Sequence, residues 1–169
     1  MTTVLFMKDA HLSLKIGVGT AVKYQGQVAS AAVEVEPGSA VTYPTLDGAN
    51  QSQVGPSAYS LAIRAGQVWD TTAGAGLAAF LWANEGAIAD FVLQAHGALV
   101  APSTTQPAVT GQVRLVAGNY GGEVATYAEI EVSLPCIQKP TLASTGVLPT
   151  EAEAEGEATA AEGATEAVA

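Results

Sequence analysis

The chain has 169 residues and a formal net charge of −10, and its acidic excess is unevenly distributed. Residues 1–142 carry ten acidic and six basic side chains, whereas residues 143–169 carry six Glu and neither Lys nor Arg. Because the basic residues are scattered and Cys136 is the only cysteine, the composition argues against specific DNA binding, an internal disulfide and a cysteine-rich metal site.

The first ten residues, MTTVLFMKDA, lack the basic segment and long apolar run of a secretory leader. No window reaches the roughly 18 apolar residues that cross a bilayer, so we expect a soluble protein that folds in the cytoplasm.

The first strand is predicted at HLSLKIG, where Leu12, Leu14 and Ile16 share one face. Strand patterns continue in TAVKY and, after a turn, in QVASAAVEVE.

Residues 37–57 (PGSAVTYPTLDGANQSQVGPS) hold three Pro and three Gly among small polar residues. Only VTYPTL in this stretch can extend, so we predict a long loop with a short strand inside it. Loops of about twenty residues are uncommon in compact domains and are usually functional or disordered. This loop is therefore the first functional candidate.

A strand is predicted next at SAYSLAIR, followed by one amphipathic helix near residues 74–84. Thr71 or Thr72 can cap the start of this helix, and Gly86 can close its end. The apolar stripe of the helix, which we expect to pack on the sheet, consists of Leu77, Phe80 and Leu81.

Further strands are predicted at AIADFVLQAHG, GQVRLVAG and GEVATYAEIEVSLPC, with a Pro- and Thr-rich connector over 98–110. Strands on both sides of a lone helix indicate a mainly β fold, a sandwich or barrel with one flanking helix. Residues 143–169 are Ala/Glu-rich without an aromatic residue, so we expect a disordered tail. The last predicted strand places on one face Val124, Thr126, Ala128, Ile130, Val132 and Leu134.

Groups that could perform catalysis are sparse. His11 and His96 are the only histidines, and both are predicted at the surface beside strand ends. No GxSxG, HExxH or EF-hand pattern occurs, so neither a catalytic residue nor a cofactor or metal ligand is predicted. The acidic pairs Glu34/Glu36 and Glu129/Glu131 are each spaced by two residues on a predicted strand, so both members of a pair point to one face, which we expect to be exposed to solvent.

Large side chains near the helix have ordinary structural uses. Trp69 and Trp82 flank the helix, and we expect them in the core or in an interface. Cys136 has no activating neighbour in the sequence and is predicted to be a buried or interface thiol.

The order of these segments resembles the major tail tube protein of long-tailed bacteriophages, especially those of actinobacterial hosts. The resemblance covers roughly residues 10–140. Its most distinctive part is the middle block, which runs from Trp69 through the helix to Phe91. Its segments are VASAAVEVEP, VTYPTLDG, GQVWDTTAGAGLAAFLWANEGAIADFVLQ and GQVRLVAGNYGGEVATYAEIEVSLPC.

This resemblance implies a virion protein assembled in the host cytoplasm, with six copies in a ring and rings stacked into a hollow tube. Such a tube forms around a tape measure protein, contacts tail tip and terminator proteins, and conducts DNA without binding it specifically. Exposed strand edges and a long loop can join subunits, so the candidate inter-subunit residues are Thr42, Tyr43, Thr45 and Leu46. A lumen lined with carboxylates would repel DNA phosphates, but the sequence does not indicate which residues face it.

Other readings stay open at this stage. An immunoglobulin-like binding or adhesion module explains the strands equally well and predicts a monomer. A tail terminator or a capsid decoration protein would also form rings. A small hydrolase is disfavoured because no titratable groups are predicted to converge.

Overall fold

Antiparallel strands dominate the structure, a computed structural model that describes residues 10–145 except 25, 47, 73–74 and 96–100. A single helix, α1 (Leu77–Ala83), occurs among these residues. The predicted fold class, mainly β with one helix, is therefore confirmed. The strands are β1 (His11–Ile16), β2 (Val22–Lys23), β3 (Val28–Glu36), β4 (Ala40–Pro44), β5 (Asn50–Val54), β6 (Ala58–Gly66), β7 (Ile88–Gln94), β8 (Ala108–Arg114), β9 (Glu129–Pro135) and β10 (Thr141–Ala143).

The described strands form three sheets. One has five strands in the order β10-β8-β7-β1-β2, the second has the order β3-β6-β9, and the third is the pair β4-β5. The five- and three-stranded sheets bury one common core, in which Leu14 and Phe91 come from the first and Leu61 and Ile130 from the second. An isolated bridge between Val113 and Cys136 joins the two sheets at one corner, so the body is a β-sandwich.

Strand β1 departs from its predicted alternation at its start. Leu12 and Leu14 are buried as predicted, but His11 and Ser13 on the opposite face are buried as well. The strand lies inside the five-stranded sheet between β2 and β7, with Gln94, also buried, opposite His11. The prediction of a surface His11 is thus wrong, since only 1% of this residue is exposed.

Burial changes the titration of His11. Among the described residues neither ring nitrogen has a hydrogen-bond partner. Desolvation lowers the pKa of His11 from its usual 6.5, and the positive charge of Lys23 acts in the same direction. The unfolded chain therefore binds a proton below pH 6.5 that the folded chain does not bind.

We expect the free energy of unfolding to decrease as the pH falls below 6.5 toward the lowered pKa of His11. The slope contributed by one such proton approaches about 1.4 kcal/mol per pH unit. Urea unfolding of the natural chain and of His11→Gln, at about pH 7.5 and about pH 5.5, measures this loss of stability. Glutamine does not titrate, so the variant should lose less stability at the lower pH. Equal pH dependence in the two proteins would contradict the role of His11.

The two later strands differ in extent from the predictions. β8 begins at Ala108, inside the predicted connector, because it pairs with both β7 and β10 from that residue. β9 begins only at Glu129, since Ala125, at φ 68°, forms a turn before it. Val124 is 97% exposed, so the predicted face is correct only for its second half, where the buried residues are Ile130, Val132 and Leu134.

Helix α1 starts later than predicted because of a contact that is distant in sequence. Gly76 is the N-cap, and a Cβ there would lie 2.3 Å from the Val68 carbonyl oxygen. The first helical N–H, of Leu77, donates to the side-chain oxygen of Gln27 at 2.9 Å, while the Gln27 amide nitrogen donates to the Ala75 carbonyl. This amide satisfies the helix start in place of the predicted threonine caps.

The buried face of α1 agrees with the predicted stripe in part. Leu77 and Leu81 are fully buried, and half-buried Phe80 packs on Tyr24 with ring centroids 5.7 Å apart. The helix ends at Ala83, before the turn that contains Gly86. His96 and most of the predicted tail 143–169 lie outside the described residues.

Candidate functional site

Within residues 37–57 the structure contains a β-hairpin, formed by β4 and β5, which pair only with each other. At its turn, the Thr45 N–H and hydroxyl both donate to the Ala49 carbonyl at 2.8 Å. The VTYP strand was predicted, but NQSQV has no apolar alternation, so its strand arises from hydrogen bonds to β4 rather than from burial. The predicted long loop is therefore a projecting hairpin.

A narrow neck connects the hairpin to the body. A Cβ on Gly38 would lie 2.0 Å from the Gly55 carbonyl oxygen, so the two chain segments touch there without side chains. The Gly55 N–H donates to the Ser39 carbonyl at 3.1 Å and closes the neck. Beyond it, Glu36 and Ala58 are paired as the last residues of β3 and the first of β6.

The four residues predicted to contact other subunits all lie on this hairpin. Thr42 and Tyr43 belong to β4, whereas Thr45 and Leu46 form part of the turn. The Tyr43 hydroxyl donates to the side-chain oxygen of Gln51 at 2.9 Å, which holds the ring along the opposite strand. All residues of β4 and β5, and Leu46 at the tip, are exposed. Their contact role stays a prediction.

The outer face of the three-stranded sheet carries small and acidic side chains. Arg64 lies at its centre, with Nε donating to Glu129 Oε2 at 2.9 Å and 3.4 Å from Glu131 Oε1. Four carboxylates against this one guanidinium leave the face with a charge of about −3 per copy. We call it the acidic face, and its residues are Ser30, Ala32, Glu34, Glu36, Ala62, Arg64, Glu129, Glu131 and Ser133.

An aromatic cluster lies beside α1. The Trp69 ring packs edge-on against Trp82 at 5.9 Å and against Tyr120 at 4.8 Å between ring centroids. Trp82 is 57% and Tyr120 75% exposed, whereas half-buried Trp69 packs against the core, so the cluster extends from the core to the surface. The sequence analysis placed Trp69 and Trp82 in the core or an interface and missed Tyr120, whose only signal is its position in the glycine-rich segment GNYGGE.

Reactive groups do not converge in the described part of the chain. His11 is buried in β1, and no cluster of three His, Cys, Asp or Glu residues that could hold a metal ion occurs there. Burial raises the pKa of the half-buried Cys136 thiol, which reduces its reactivity. In the same residues no helix combines the length and apolar character needed to span a membrane.

These features define the class of the protein as an antiparallel β-sandwich with a projecting hairpin. The fold is similar to that of a chain in the virion of a native gene transfer agent particle, at a TM-score of 0.50 and 12% identity over 78% of this chain and 94% of that one. It is also similar to a chain in the six-fold symmetrised baseplate of the anti-feeding prophage, at a TM-score of 0.52 and 13% identity over 84% and 97%.

At these identities the comparisons establish a shared fold. No family model matches the sequence, and no curated protein matches it. The chain thus has the fold of components of phage-like particles, and it spans nearly the whole length of both.

Proposed function

We propose that this protein is the subunit of a phage-type tail tube, with six copies closing a ring and rings stacking into a hollow conduit for DNA. The role is structural and includes no chemical step. The shared fold with a virion chain and a six-fold baseplate chain supports a structural protein of a phage-like particle. The hairpin, the sheet edges and the acidic face support the tail tube and its rings.

The projecting hairpin is the observation that carries the proposal. A two-stranded hairpin alone is at best marginally stable in water, yet every residue of β4 and β5 is exposed. Contact with a neighbouring copy would cover the apolar side chains that the hairpin presents to solvent. Those side chains are Val41, Tyr43, Leu46 and Val54.

An open sheet edge supplies a second contact. β3 is nine residues long and pairs on one side only, with β6. A long exposed edge promotes association with other strands unless it is covered. Pairing along β3 in a neighbouring copy would extend the three-stranded sheet around a ring.

If the three-stranded sheet lines the ring, the acidic face forms the wall of the lumen. Six copies at about −3 each would repel the phosphates of a passing strand, and the small side chains of Ala32, Ala62 and Ser133 would leave the wall smooth. DNA would then move through the tube without specific contacts.

The remaining parts of the proposal follow from the tube. Its partners would be further copies of the chain, a tape measure protein inside the growing tube, and proteins at the tail tip and the terminator end. Assembly would take place in the cytoplasm of the host, an actinobacterium on the sequence resemblance, and the mature location would be the virion. No cofactor enters this role.

A first experiment separates the tube from a monomeric binding module. Negative-stain electron microscopy and light scattering of the concentrated protein should show rings or hollow tubes of uniform diameter, with or without added tail tips. Monomers that also fail to polymerise on added tail tips would favour an immunoglobulin-like binding module. Closed rings that never stack would favour a terminator or a capsid decoration protein.

The lumen assignment predicts a gain of DNA binding when the acidic face loses charge. Glu131→Lys should leave tubes intact but raise the DNA retained by them by about tenfold or more at low salt, with the gain lost at high salt. The measurement is co-sedimentation of linear DNA with tubes. Asp90→Lys makes the same charge change at an exposed residue of β7, in the other sheet, and equal retention by the two variants would contradict the assignment.

A further inference from the structure

The aromatic cluster of Trp69, Trp82 and Tyr120 is held in place by four hydrogen bonds of Gln67, three of them half-buried. The Gln67 side-chain oxygen accepts from the Trp69 indole N–H at 3.1 Å and from the Gly121 N–H at 3.0 Å. Its side-chain nitrogen donates to the carbonyls of Gly121 and Glu129, each at 2.9 Å. One amide therefore fixes both the indole and the loop that carries Tyr120, before any partner is present.

A preformed surface of this kind has the properties of a binding site for protein. Rigid, partly exposed Trp and Tyr side chains are enriched among the residues that dominate protein interfaces, because they bury a large area at low entropic cost. Prior ordering by Gln67 further lowers the cost of binding. The exposed rings of Trp82 and Tyr120 are otherwise large apolar surfaces left in water.

The hairpin has the chemistry that such a surface accepts. β4 reads AVTYP and β5 reads NQSQV, so neither strand carries a charged side chain although both are wholly exposed. Charged residues are depleted at the centres of interfaces because burying them costs desolvation energy. Docking on aromatic rings would thus cover Val41 and Tyr43 without burying a charge of either strand, and the nearest charged residue in the sequence is Asp47, which follows Leu46.

The two surfaces lie at opposite ends of β6. The hairpin leaves the body before Ala58, the first residue of β6, whereas Trp69 follows Gly66, the last residue. The eight steps from the first to the ninth residue of β6, at about 3.3 Å each, separate the ends by roughly 26 Å. In the structure neither surface covers the other, so each remains available to a second copy.

We propose that the hairpin of one copy docks on the aromatic cluster of the next copy, an inference that rests on the proposed tube function and specifies one of its contacts. Because the two surfaces differ and lie at opposite ends of one sheet, the contact is head-to-tail. A contact of this type repeats from copy to copy and produces a closed ring or an open stack. Leu46 at the tip and Tyr43 on β4 are the hairpin residues that enter the contact.

Substitutions at Trp82 test the docking site. Trp82→Ser should raise the protein concentration at which tubes form by about 30-fold, whereas Trp82→Phe, which keeps an apolar ring, should change it by about threefold or less. Leu142→Ser removes another exposed apolar side chain, on edge strand β10, and should leave assembly near normal. Assembly is followed by sedimentation and electron microscopy, and folding by urea unfolding.

The possible outcomes distinguish an error in the docking site from an error in the proposed tube function. If the natural chain forms tubes and folded Trp82→Ser forms them equally well, the docking site is wrong but the tube function is still supported. If the natural chain never assembles, with or without tail tips, the function itself fails. A loss of assembly in Trp82→Ser equalled by Leu142→Ser also overturns the assignment, because the effect is then not specific to the cluster.

A mixing experiment identifies the occupant of the cluster. A chain with Ala49→Cys and a chain with Asn119→Cys, both carrying Cys136→Ser, keep Leu46 and Tyr120 and should form a disulfide-linked pair when mixed under mild oxidation. Linkage only within each chain type, or none in assembled tubes, contradicts docking of the hairpin tip near Tyr120. As the control, Val18→Cys, on an exposed turn outside both surfaces, is used in place of Asn119→Cys and should give no mixed pair.

Discussion

Replacing residues 37–57 with Asn-Gly should yield a folded subunit that no longer forms tubes. Glu36 and Ala58 are directly paired, so a two-residue Asn-Gly turn can connect β3 to β6 without disturbing their register. The removed hairpin packs no residue into the core, which consists of side chains from the other strands and α1. The body should therefore keep its stability to within about 1 kcal/mol.

Assembly should respond much more strongly than folding to this replacement. Apolar and aromatic anchors at the centre of an interface contribute about 2 kcal/mol or more each, and about 1.4 kcal/mol changes a dissociation constant tenfold. Loss of Tyr43 and Leu46 together, about 4 kcal/mol, should thus raise the assembly concentration by roughly 700-fold or abolish tubes.

Sedimentation and electron microscopy of the shortened chain measure this effect, with urea unfolding to verify the fold. The double variant Tyr43→Ser with Leu46→Ser keeps the hairpin backbone and should show most of the same loss. Normal tubes from the shortened chain would remove the hairpin from the assembly contacts.

The largest effect on stability is expected from Phe91→Ala. Phe91 is 1% exposed and lies on β7 opposite Leu14 of β1 and Gly111 of β8. Its ring fills the space over Gly111, where a Cβ would lie 2.9 Å from the ring atom Cε1. Glycine has no side chain that could move into the cavity, so the substitution should cost about 3–5 kcal/mol.

A loss of this size is a large share of the roughly 5–15 kcal/mol that stabilises a typical domain. Urea unfolding of Phe91→Ala, compared with Phe91→Leu, measures it. The leucine retains most of the apolar volume and should cost about 1 kcal/mol. A cost below about 1 kcal/mol for the alanine variant would show that the sheet relaxes around the site.

Most of the strands that were predicted correctly bury one face, and the wholly exposed β4 is the exception. In β6 and β9, Leu61, Ile63, Ile130 and Leu134 alternate with outward residues, and that alternation is visible in the sequence because one sheet face contacts the core. β5 has no such face, since hydrogen bonds to β4 alone hold it, and it was not predicted. Because β5 buries none of its side chains, its sequence shows no alternation of apolar and polar residues from which a strand could be predicted.

The helix and the aromatic cluster depend on contacts between distant parts of the chain. Gln27 reaches the start of α1 across fifty residues, and Gln67 fixes the loop around Gly121 across 54. The predicted helix start depended on nearby threonines because only local caps have a signal in the sequence. Tyr120 was missed for the same reason, because its partner Trp69 is close in space but not in sequence.

The sequence by itself determined the mainly β class, the position of the helix to within a few residues, and the resemblance to tail tube proteins, because periodicity and composition are local properties. The tertiary structure decided which residues share a surface. It collected Glu34, Arg64, Glu129 and Glu131 on one face and separated the hairpin from the aromatic cluster by the length of β6. Strand order and register, which depend on long-range pairing, have no local signal in the chain.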